Sequence, residues 1–375
     1  MRVKVFDQRP PIPRMSKPLL APSSSVNEPS LLRCLAITKV ILADLVEYLL
    51  VCAYHAPAMI SRDLLNSESV HLANMVARLR LIPDDSREFS IGAKRAALEF
   101  GIDEMLARDL IALGLPHTEV DGRLGFAAGD LHYVALRVGC ASAYVEATRR
   151  WAAALTASSE HAWADVEVQC VPYAAPGSDV EILTPSSETL RVCIGTDRVA
   201  ATFNMSMPGS WPEIELSLHE ILAEIASLDF CWMPELMGAD VDFARRTRLA
   251  DCATAAKLLV EECRSRGVAA RTAHGLLLSS PYSTLHNWAE IQTEGGWVPA
   301  DPLLLALLVD YAGLDGEEWP PWRSPGAILV RLSECPTPVV RAGDSPLQAT
   351  FLTRCHADRR MRGVSPTSAS GTGDG

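Results

Sequence analysis

Apolar residues recur at helical spacing over residues 29–155, and this pattern predicts a helical domain. Residues 31–55 form one long candidate helix, in which Lys39, Asp44 and Glu47 interrupt the apolar run at helix-like intervals. These charges favour a buried amphipathic helix over a membrane span. A second candidate helix covers residues 61–81, with Ser61 as its N-cap.

Between residues 163 and 207 the pattern changes to strict alternation of apolar and polar positions, which is typical of strands. On the first of these stretches the apolar positions are Val166, Val168 and Cys170. Turn signals rich in Pro, Gly and Ser separate the stretches from one another. We therefore predict a small antiparallel β domain over residues 160–210.

Residues 213–340 mix helical and strand patterns and are predicted to form one α+β domain, in which a helix packs on an antiparallel sheet. It contains a strand at 268–278 and a hairpin whose turn lies at 294–296. Both ends of the chain are rich in Pro, Ser and small polar residues. Residues 1–28 are therefore predicted to be a flexible arm, and residues 356–375 a disordered tail.

The charge and the cysteines narrow the range of functions. The formal net charge of -12 disfavours nucleic acid as a partner, because phosphate binding needs a basic face. The ten cysteines are scattered without a CxxC pair, so neither a disulfide framework nor a metal site is predicted. Reduced thiols fit a cytoplasmic protein. The first residues carry charges and prolines where a signal peptide needs an apolar stretch, and no membrane association is expected.

The helix predicted to begin at residue 252 places a cysteine where a reactive thiol is favoured. Asp251 is suited to cap this helix, and Gly267 is suited to end it. Cys252 would then lie in the first turn, where free backbone N–H groups and the positive end of the helix dipole favour a thiolate. An inert, buried cysteine at a helix start is the alternative interpretation.

The predicted hairpin brings a histidine and a carboxylate to the same region. His286 lies early on one strand and Asp301 at the end of the next, 15 residues later, with the turn between them. Antiparallel neighbours joined by a tight turn face each other, so Asp301 could reach the imidazole and fix its tautomer. Together with Cys252 they supply the nucleophile, base and orienting group that nucleophilic acyl chemistry requires.

Three blocks of sequence, in this order, resemble the core of the transglutaminase-like superfamily. They are Ala-Asp-Cys at 250–252, His-Asn-Trp-Ala-Glu-Ile at 286–291 and Gly-Trp-Val-Pro-Ala-Asp-Pro at 296–302. The resemblance covers roughly residues 213–305. It implies an α+β fold with a papain-like or transglutaminase-like catalytic core, preceded by the helical domain and the small β domain.

The resemblance also implies roles for individual residues. It makes Cys252 the nucleophile, His286 the general base and acid, and Asp301 the orienting residue. Two positions depart from the usual pattern of the family: Ala250 stands where Gly is usual, and Asn287 where Ala is usual. Neither departure removes a catalytic atom.

Candidates for the oxyanion hole and the cleft are less specific. In parts of the family an indole upstream of the cysteine is an oxyanion donor, which makes Trp232 and Trp211 candidates beside the backbone N–H of the nucleophile. Trp288 is expected to be a core or wall residue. Glu290 shares strand parity with the histidine and lines either the cleft or a solvated face, and His274 is interpreted as a structural histidine. No cofactor and no calcium site are expected.

Residues 90–137 resemble, more weakly, the winged helix-turn-helix of excisionase-like and MerR-like proteins. Between residues 84 and 150 there are 8 basic and 11 acidic residues. Because an acidic surface repels phosphate, a repurposed helical domain for protein contacts is favoured over a DNA reader.

Three functions remain open from the sequence. The first is acyl transfer from an acyl donor to an amine, in which a carrier protein or a peptide presents the substrate, as in amide-forming enzymes of natural-product biosynthesis that share this core. The second is hydrolysis of an amide by the same three residues. The third is a non-catalytic binding or DNA-binding protein that retains the core. Exclusion of water from the acyl-enzyme decides between the first two.

Overall fold

The computed structural model describes residues 65–120, 122–159 and 163–357. Over these residues the chain is α+β, with nine helices and mostly antiparallel sheets, so the predicted fold class is confirmed. The predicted N-terminal arm, the first long candidate helix and Ser61 lie outside the described residues. Of the predicted tail, only residues 356 and 357 are described, and they end a strand.

The described residues from 73 onward belong to one compact unit, and the residues before them in the chain belong to a second unit. Of the second unit the structure describes only residues 65–72, at the start of a helix. The helices are α1 (Leu65–Leu79), α2 (Ala93–Phe100), α3 (Glu104–Ala112), α4 (Ala128–Val138), α5 (Ala143–Ser159), α6 (His219–Ala226), α7 (Val241–Thr247), α8 (Cys252–Ser265) and α9 (Pro302–Ala312). None of these described helices combines the length and the apolar character that a membrane span requires.

The strands are mostly short, and the longest is β11. They are β1 (Ile91–Gly92), β2 (Thr118–Val120), β3 (Arg123–Phe126), β4 (Trp163–Pro172), β5 (Asp179–Leu183), β6 (Thr189–Cys193), β7 (Ala201–Pro208), β8 (Asp229–Phe230), β9 (Leu249–Ala250), β10 (Ala270–Leu277), β11 (Tyr282–Thr293), β12 (Gly296–Ala300), β13 (Leu329–Ser333), β14 (Val340–Ala342), β15 (Ser345–Pro346) and β16 (Ala349–Ala357).

A seven-stranded sheet organises the molecule. Its strand order is β13-β10-β11-β16-β4-β7, and β12 also pairs with β11. The first residues of β11 pair with β16 and its last residues pair with β12, so these two strands share one edge of β11, and β10 pairs along the other edge. The hairpin between β11 and β12 closes as the sequence predicts, with Gly296 in the left-handed region at φ 114.

The strands of residues 163–208 do not form a sheet of their own, which differs from the predicted small β domain. β4 pairs with β16, and β16 pairs with β11, so β4 and β7 extend the same sheet as the predicted catalytic strands. β5 and β6 join a four-stranded sheet with β14 and β15 from the end of the chain. Local alternation predicts strands but does not encode their partners, and distant strands supplied them here.

The two faces of β11 pack against different parts of the molecule, because successive side chains of a strand point to opposite faces. Ala289 and Ile291 share a core with Leu258 and Leu259 of α8. Trp288 belongs to a second core, which α5 and α9 also enter. The leucines of α9 at positions 304, 305, 307 and 308 are buried there as well, as residues of an ordinary core helix.

The segment of residues 90–137 contains helices α2 and α3, the β2–β3 hairpin and helix α4, with β1 completing a three-stranded sheet. Asp103 caps α3 by accepting a hydrogen bond from the backbone N–H of Leu106 at 2.9 Å. The exposed Arg108 is paired with Glu104 one turn away. The likeness of this segment to a winged helix stays a prediction.

A buried ion pair ties this segment to the loop before it. The Arg87 side chain is fully buried, and its Nε lies 2.8 Å from a carboxylate oxygen of Asp130, which is 5% exposed. The same guanidinium donates to the backbone carbonyls of Leu79 and Ile82 and to the carboxylate of Asp84. These contacts and the bond to Asp130 provide acceptors for four of the five guanidinium N–H groups.

A second set of polar contacts fixes the short strand β8 beside β9. Asp229 accepts hydrogen bonds from the Tyr133 hydroxyl at 2.6 Å, from Arg78 at 3.2 Å and from Arg137. Parallel pairing with β9 places Phe230 opposite Ala250. The chain after β8 therefore runs beside the residues that lead into α8.

Candidate active site

Helix α8 begins at Cys252, and its N-cap is the preceding aspartate, as predicted. Asp251 has an extended backbone (φ -94, ψ 180), and its Oδ1 accepts from the Thr254 backbone N–H at 2.8 Å and from the Thr254 hydroxyl at 2.7 Å. Burial raises the pKa of Asp251, and the hydrogen bonds from Thr254 oppose this shift. Cys252 is partly exposed at the end of the helix where the dipole favours negative charge.

Replacing the N-cap Asp251 tests how much it contributes to the free energy of unfolding. Asp251→Ala should lower the free energy of unfolding by about 1 kcal/mol, because the first turn loses an acceptor for its free N–H groups. Urea unfolding measures the change. Asp240→Ala is the matched control: Asp240 caps α7 through the Phe243 N–H at 2.9 Å. Both variants should lose stability, and only Asp251→Ala should also slow alkylation of Cys252. An alanine variant as stable as the wild type would contradict this interpretation.

The imidazole of His286 and the carboxylate of Asp301 are in direct contact. His286 Nε2 lies 2.5 Å from Asp301 Oδ2, and these side chains are 12% and 5% exposed. The strand pairing ends at Ala289 and Ala300, so the two residues meet diagonally across the continuation of the hairpin instead of directly opposite each other. The other carboxylate oxygen caps α9 by accepting from the Leu304 backbone N–H at 3.0 Å.

His286 also interacts with Cys252. Burial opposes a charge on the imidazole, but the charges of Cys252 and Asp301 and hydrogen bonds with both side chains raise the pKa of His286 to about 10. Because Nε2 is taken by Asp301, Nδ1 is the nitrogen that remains for the sulfur. The arrangement favours an imidazolium between two anionic groups, which is the form that holds a thiolate ready and can donate a proton.

A pair of aromatic side chains from different regions lies near this group. The ring centroids of Tyr144, on α5, and Trp232 are 5.0 Å apart in an edge-to-face arrangement, and Trp232 also lies 4.1 Å from the His132 ring. Burial raises the pKa of Tyr144, and a hydrogen bond with the Trp232 side chain opposes this shift, as expected when the indole N–H donates to the phenol oxygen. Phe230 stacks on Tyr144 at 6.2 Å.

The geometry of the cysteine, histidine and aspartate agrees with the comparison with known protein families. Residues 236–302 match the model of the Transglutaminase-like superfamily. The match spans α8, β11 and β12, and thus Cys252, His286 and Asp301. Comparisons with curated proteins and with solved structures found no match.

Members of the transglutaminase-like superfamily are generally enzymes with cysteine-based chemistry. The matched region is a minority of the chain, and the helices and strands before it lie outside the match. The superfamily match therefore supports the chemistry of the core and leaves the substrates open.

The three tryptophans considered for the oxyanion hole or the cleft have different surroundings. Trp232 lies next to the segment that enters α8, with its indole engaged by Tyr144. The ring of Trp211 packs so closely over Gly326 that a Cβ there would lie 2.4 Å from it. Trp288 is buried, and its ring lies nearly parallel to that of His286 at 6.4 Å, which is the position of a supporting wall.

Glu290 lies on the same face of β11 as His286 but about 13 Å further along the strand, from the usual rise per residue. Its carboxylate is 2.7 Å from Arg271 and 3.5 Å from Arg331. Glu290 is thus a buried member of an ion-pair network. Its position away from the sulfur indicates a structural role.

One residue that the sequence left without a role lies at the sulfur, and the histidine interpreted as structural is its partner. The amide nitrogen Nδ2 of Asn287 is 3.7 Å from Cys252 Sγ. The amide oxygen of Asn287 is 3.1 Å from Nδ1 of His274. The signal in the sequence was the departure at position 287 from the small residue usual in the superfamily, and the neighbouring strand supplied its partner.

Proposed function

We propose that this protein is a cysteine-dependent acyltransferase, with Cys252 as nucleophile, His286 as general acid and base, and Asp301 as the residue that orients the imidazole. The observation that carries the proposal is the 2.5 Å contact between His286 and Asp301. It lies beside a cysteine that begins a capped helix. Nucleophile, base and orienting group are then aligned in the order that acyl transfer through a thioester requires.

The reaction proceeds in two halves. The Cys252 thiolate attacks the carbonyl carbon of an amide or thioester donor, and the imidazolium of His286 gives its proton to the departing amine or thiol. A thioester joins the acyl group to the sulfur. An amine then attacks this thioester, neutral His286 takes the proton that the amine loses, and the thiolate leaves as the amide product forms.

An acyl donor carried by a carrier protein or a peptide, and an amine acceptor, are the substrates we propose, in a cytoplasmic enzyme of specialised metabolism. We propose that such a partner docks on the part of the chain outside the matched residues 236–302. The aromatic side chains of Tyr144, Phe230 and Trp232 support transfer, because an apolar wall disfavours water at the acyl-enzyme.

Hydrolysis of the same acyl-enzyme is the second candidate. Cys252 is partly exposed, so water has access to the sulfur side of the site. Hydrolysis uses the same three residues, and it differs from transfer only in what attacks the thioester.

Selective labelling tests the cysteine chemistry. At pH 6.5 an ordinary thiol is mostly protonated. A limiting amount of iodoacetamide should therefore modify Cys252 ahead of the exposed cysteines at positions 193, 335 and 355, as measured by peptide mass spectrometry. His286→Ala should abolish this selectivity, because the thiolate loses its counter-ion. Cys193→Ser is the matched control and should leave it unchanged.

If Cys252 reacts no faster than the three exposed cysteines in the wild type, the enzymatic proposal fails and a binding protein with a retained core is the better account. A second assay separates transfer from hydrolysis. The purified protein receives an acyl thioester in rising concentrations of a primary amine, and the amide and free acid are quantified. Free acid as the sole product at high amine would leave the cysteine chemistry standing and overturn transfer.

A further inference from the structure

Asn287 occupies a position at the sulfur that the proposed reaction has not used. It lies on the face of β11 that packs on α8, two residues before Ala289 of that core. Its side chain is buried, with Nδ2 at 3.7 Å from Cys252 Sγ. This distance is within reach of a hydrogen bond to sulfur, and an amide N–H can only donate there.

The orientation of this amide is fixed by His274. Register pairs His274 of β10 directly with Asn287 of β11, and the Nδ1–Oδ1 distance is 3.1 Å. Burial lowers the pKa of His274, while hydrogen bonds with Asn287 and with the backbone of His286 oppose the shift, so the ring is neutral near pH 7.

A neutral imidazole has one N–H, and an amide oxygen can only accept, so the network assigns the proton of His274 to Nδ1. The amide oxygen is then held toward His274 and the amide nitrogen toward the sulfur. The reversed amide would present an oxygen to the sulfur and lose the hydrogen bond from His274.

We propose that Asn287 is a further catalytic residue, whose amide donates a hydrogen bond to the Cys252 thiolate, and that His274 is the positioning residue that aims this amide. The proposal rests on the proposed function, since it assigns a second stabilising contact to the same nucleophile. The imidazolium of His286 pairs with the negative charge of the sulfur, and the amide of Asn287 donates a hydrogen bond to it in place of water.

The pH dependence of alkylation reports this contact. The titratable groups around the sulfur are His286 on β11, Asp301 at the start of α9, Asp251 at the cap of α8 and Tyr144 on α5. All of them remain when Asn287 is replaced. A change in the midpoint of the profile therefore isolates the amide.

Asn287→Ala should move the midpoint of the alkylation profile of Cys252 upward by about one pH unit, which equals a tenfold lower rate on the acidic side. The direction follows because removal of a donor destabilises the anion. The plateau rate at high pH should be retained, since the thiolate is then fully formed. Asn287→Asp should shift the midpoint further upward, because it replaces the donor with a negative charge.

His274→Leu should shift the midpoint in the same direction by a smaller amount, and His274→Asn, which keeps a donor, should restore part of it. Gln292→Ala removes an exposed amide from the same strand and should change nothing. Circular dichroism checks the fold of each variant. If Asn287→Ala does not fold, Asn287→Ser, which keeps a short donor, should give an intermediate upward shift.

The outcomes separate the two proposals. A wild-type Cys252 without selective reactivity would remove the proposed function itself. Selective reactivity with an unchanged midpoint in the folded Asn287 variant would overturn the role of Asn287 alone. An upward shift together with a retained plateau supports it, because a loss of packing would instead lower the plateau.

Discussion

Asp301→Asn is expected to slow acylation of Cys252 by about 10³-fold or more, as the loss of the orienting carboxylate does in comparable triads. Both oxygens of Asp301 are in use: Oδ2 accepts from His286, and Oδ1 accepts from the Leu304 N–H. Asparagine has one acceptor only. If the amide oxygen of the introduced asparagine continues to cap α9, its NH₂ group faces Nε2 of His286. It then stabilises the wrong tautomer, in which Nε2 is unprotonated.

The direction in which the pH profile of this variant shifts follows from the cause of the raised His286 pKa. In the wild type the pKa of His286 is about 10, so acylation by an amide donor should decline only as the pH rises through that region and the acid is lost. The charge of Asp301 is one cause of the raised value. Its removal should move the alkaline limb toward neutral pH.

Single-turnover acylation measured from about pH 6 to about pH 11, a range that contains the alkaline limb, would show both effects. Asp315→Asn is a suitable control, because Asp315 accepts from the Glu317 backbone N–H at 2.9 Å and has no contact with the candidate site among the described interactions. An Asp301→Asn enzyme that kept both the rate and the limb of the wild type would show that the carboxylate does not orient His286.

Asp130→Ala is expected to destabilise the fold by about 3–5 kcal/mol, because it removes the buried carboxylate beside Arg87 and leaves only the exposed Asp84 to pair with this cation. Replacing both partners, as Arg87→Met with Asp130→Leu, should be more stable than the single variant, since no isolated charge stays in the interior. Recovery should be incomplete, because the carbonyls of Leu79 and Ile82 lose their donor.

Urea unfolding compares these proteins directly. Glu104→Ala is the control for an exposed pair: both side chains of the Arg108–Glu104 bridge are largely exposed, so its loss should cost less than about 1 kcal/mol. If Asp130→Ala costs no more than Glu104→Ala, the ion pair does not hold the helical region in the way its burial indicates.

The sequence predicted the features that depend on neighbouring residues. Asp251 and Cys252 are adjacent, and a cap followed by a helical pattern places both in three dimensions. The hairpin between His286 and Asp301 closes through a local turn, so their meeting follows from short-range rules. These are the parts of the site that a single chain can reveal by its spacing.

Features that depend on which distant segments pair were not predictable in the same way. No periodicity indicates that β16 lies between β11 and β4, or that Tyr144 on α5 meets Trp232. The strands predicted for residues 160–210 pair with distant strands for this reason. Asn287 was visible as an unusual residue, but its partner His274 required the register of β10 against β11.

The position of β16 has a consequence for the synthesis of the protein. This strand is made last among those described, yet it joins β4 to the start of β11 and pairs with Tyr282 and Ser283, a few residues before His286. A growing chain that has emerged only as far as residue 340 already contains the cysteine, the histidine and the aspartate, but β11 and β4 still have open edges toward each other. Such edges recruit strands from other nascent chains. The ribosome therefore synthesises β16 after Cys252, His286 and Asp301. Chaperones that shield unpaired strand edges would act in that interval.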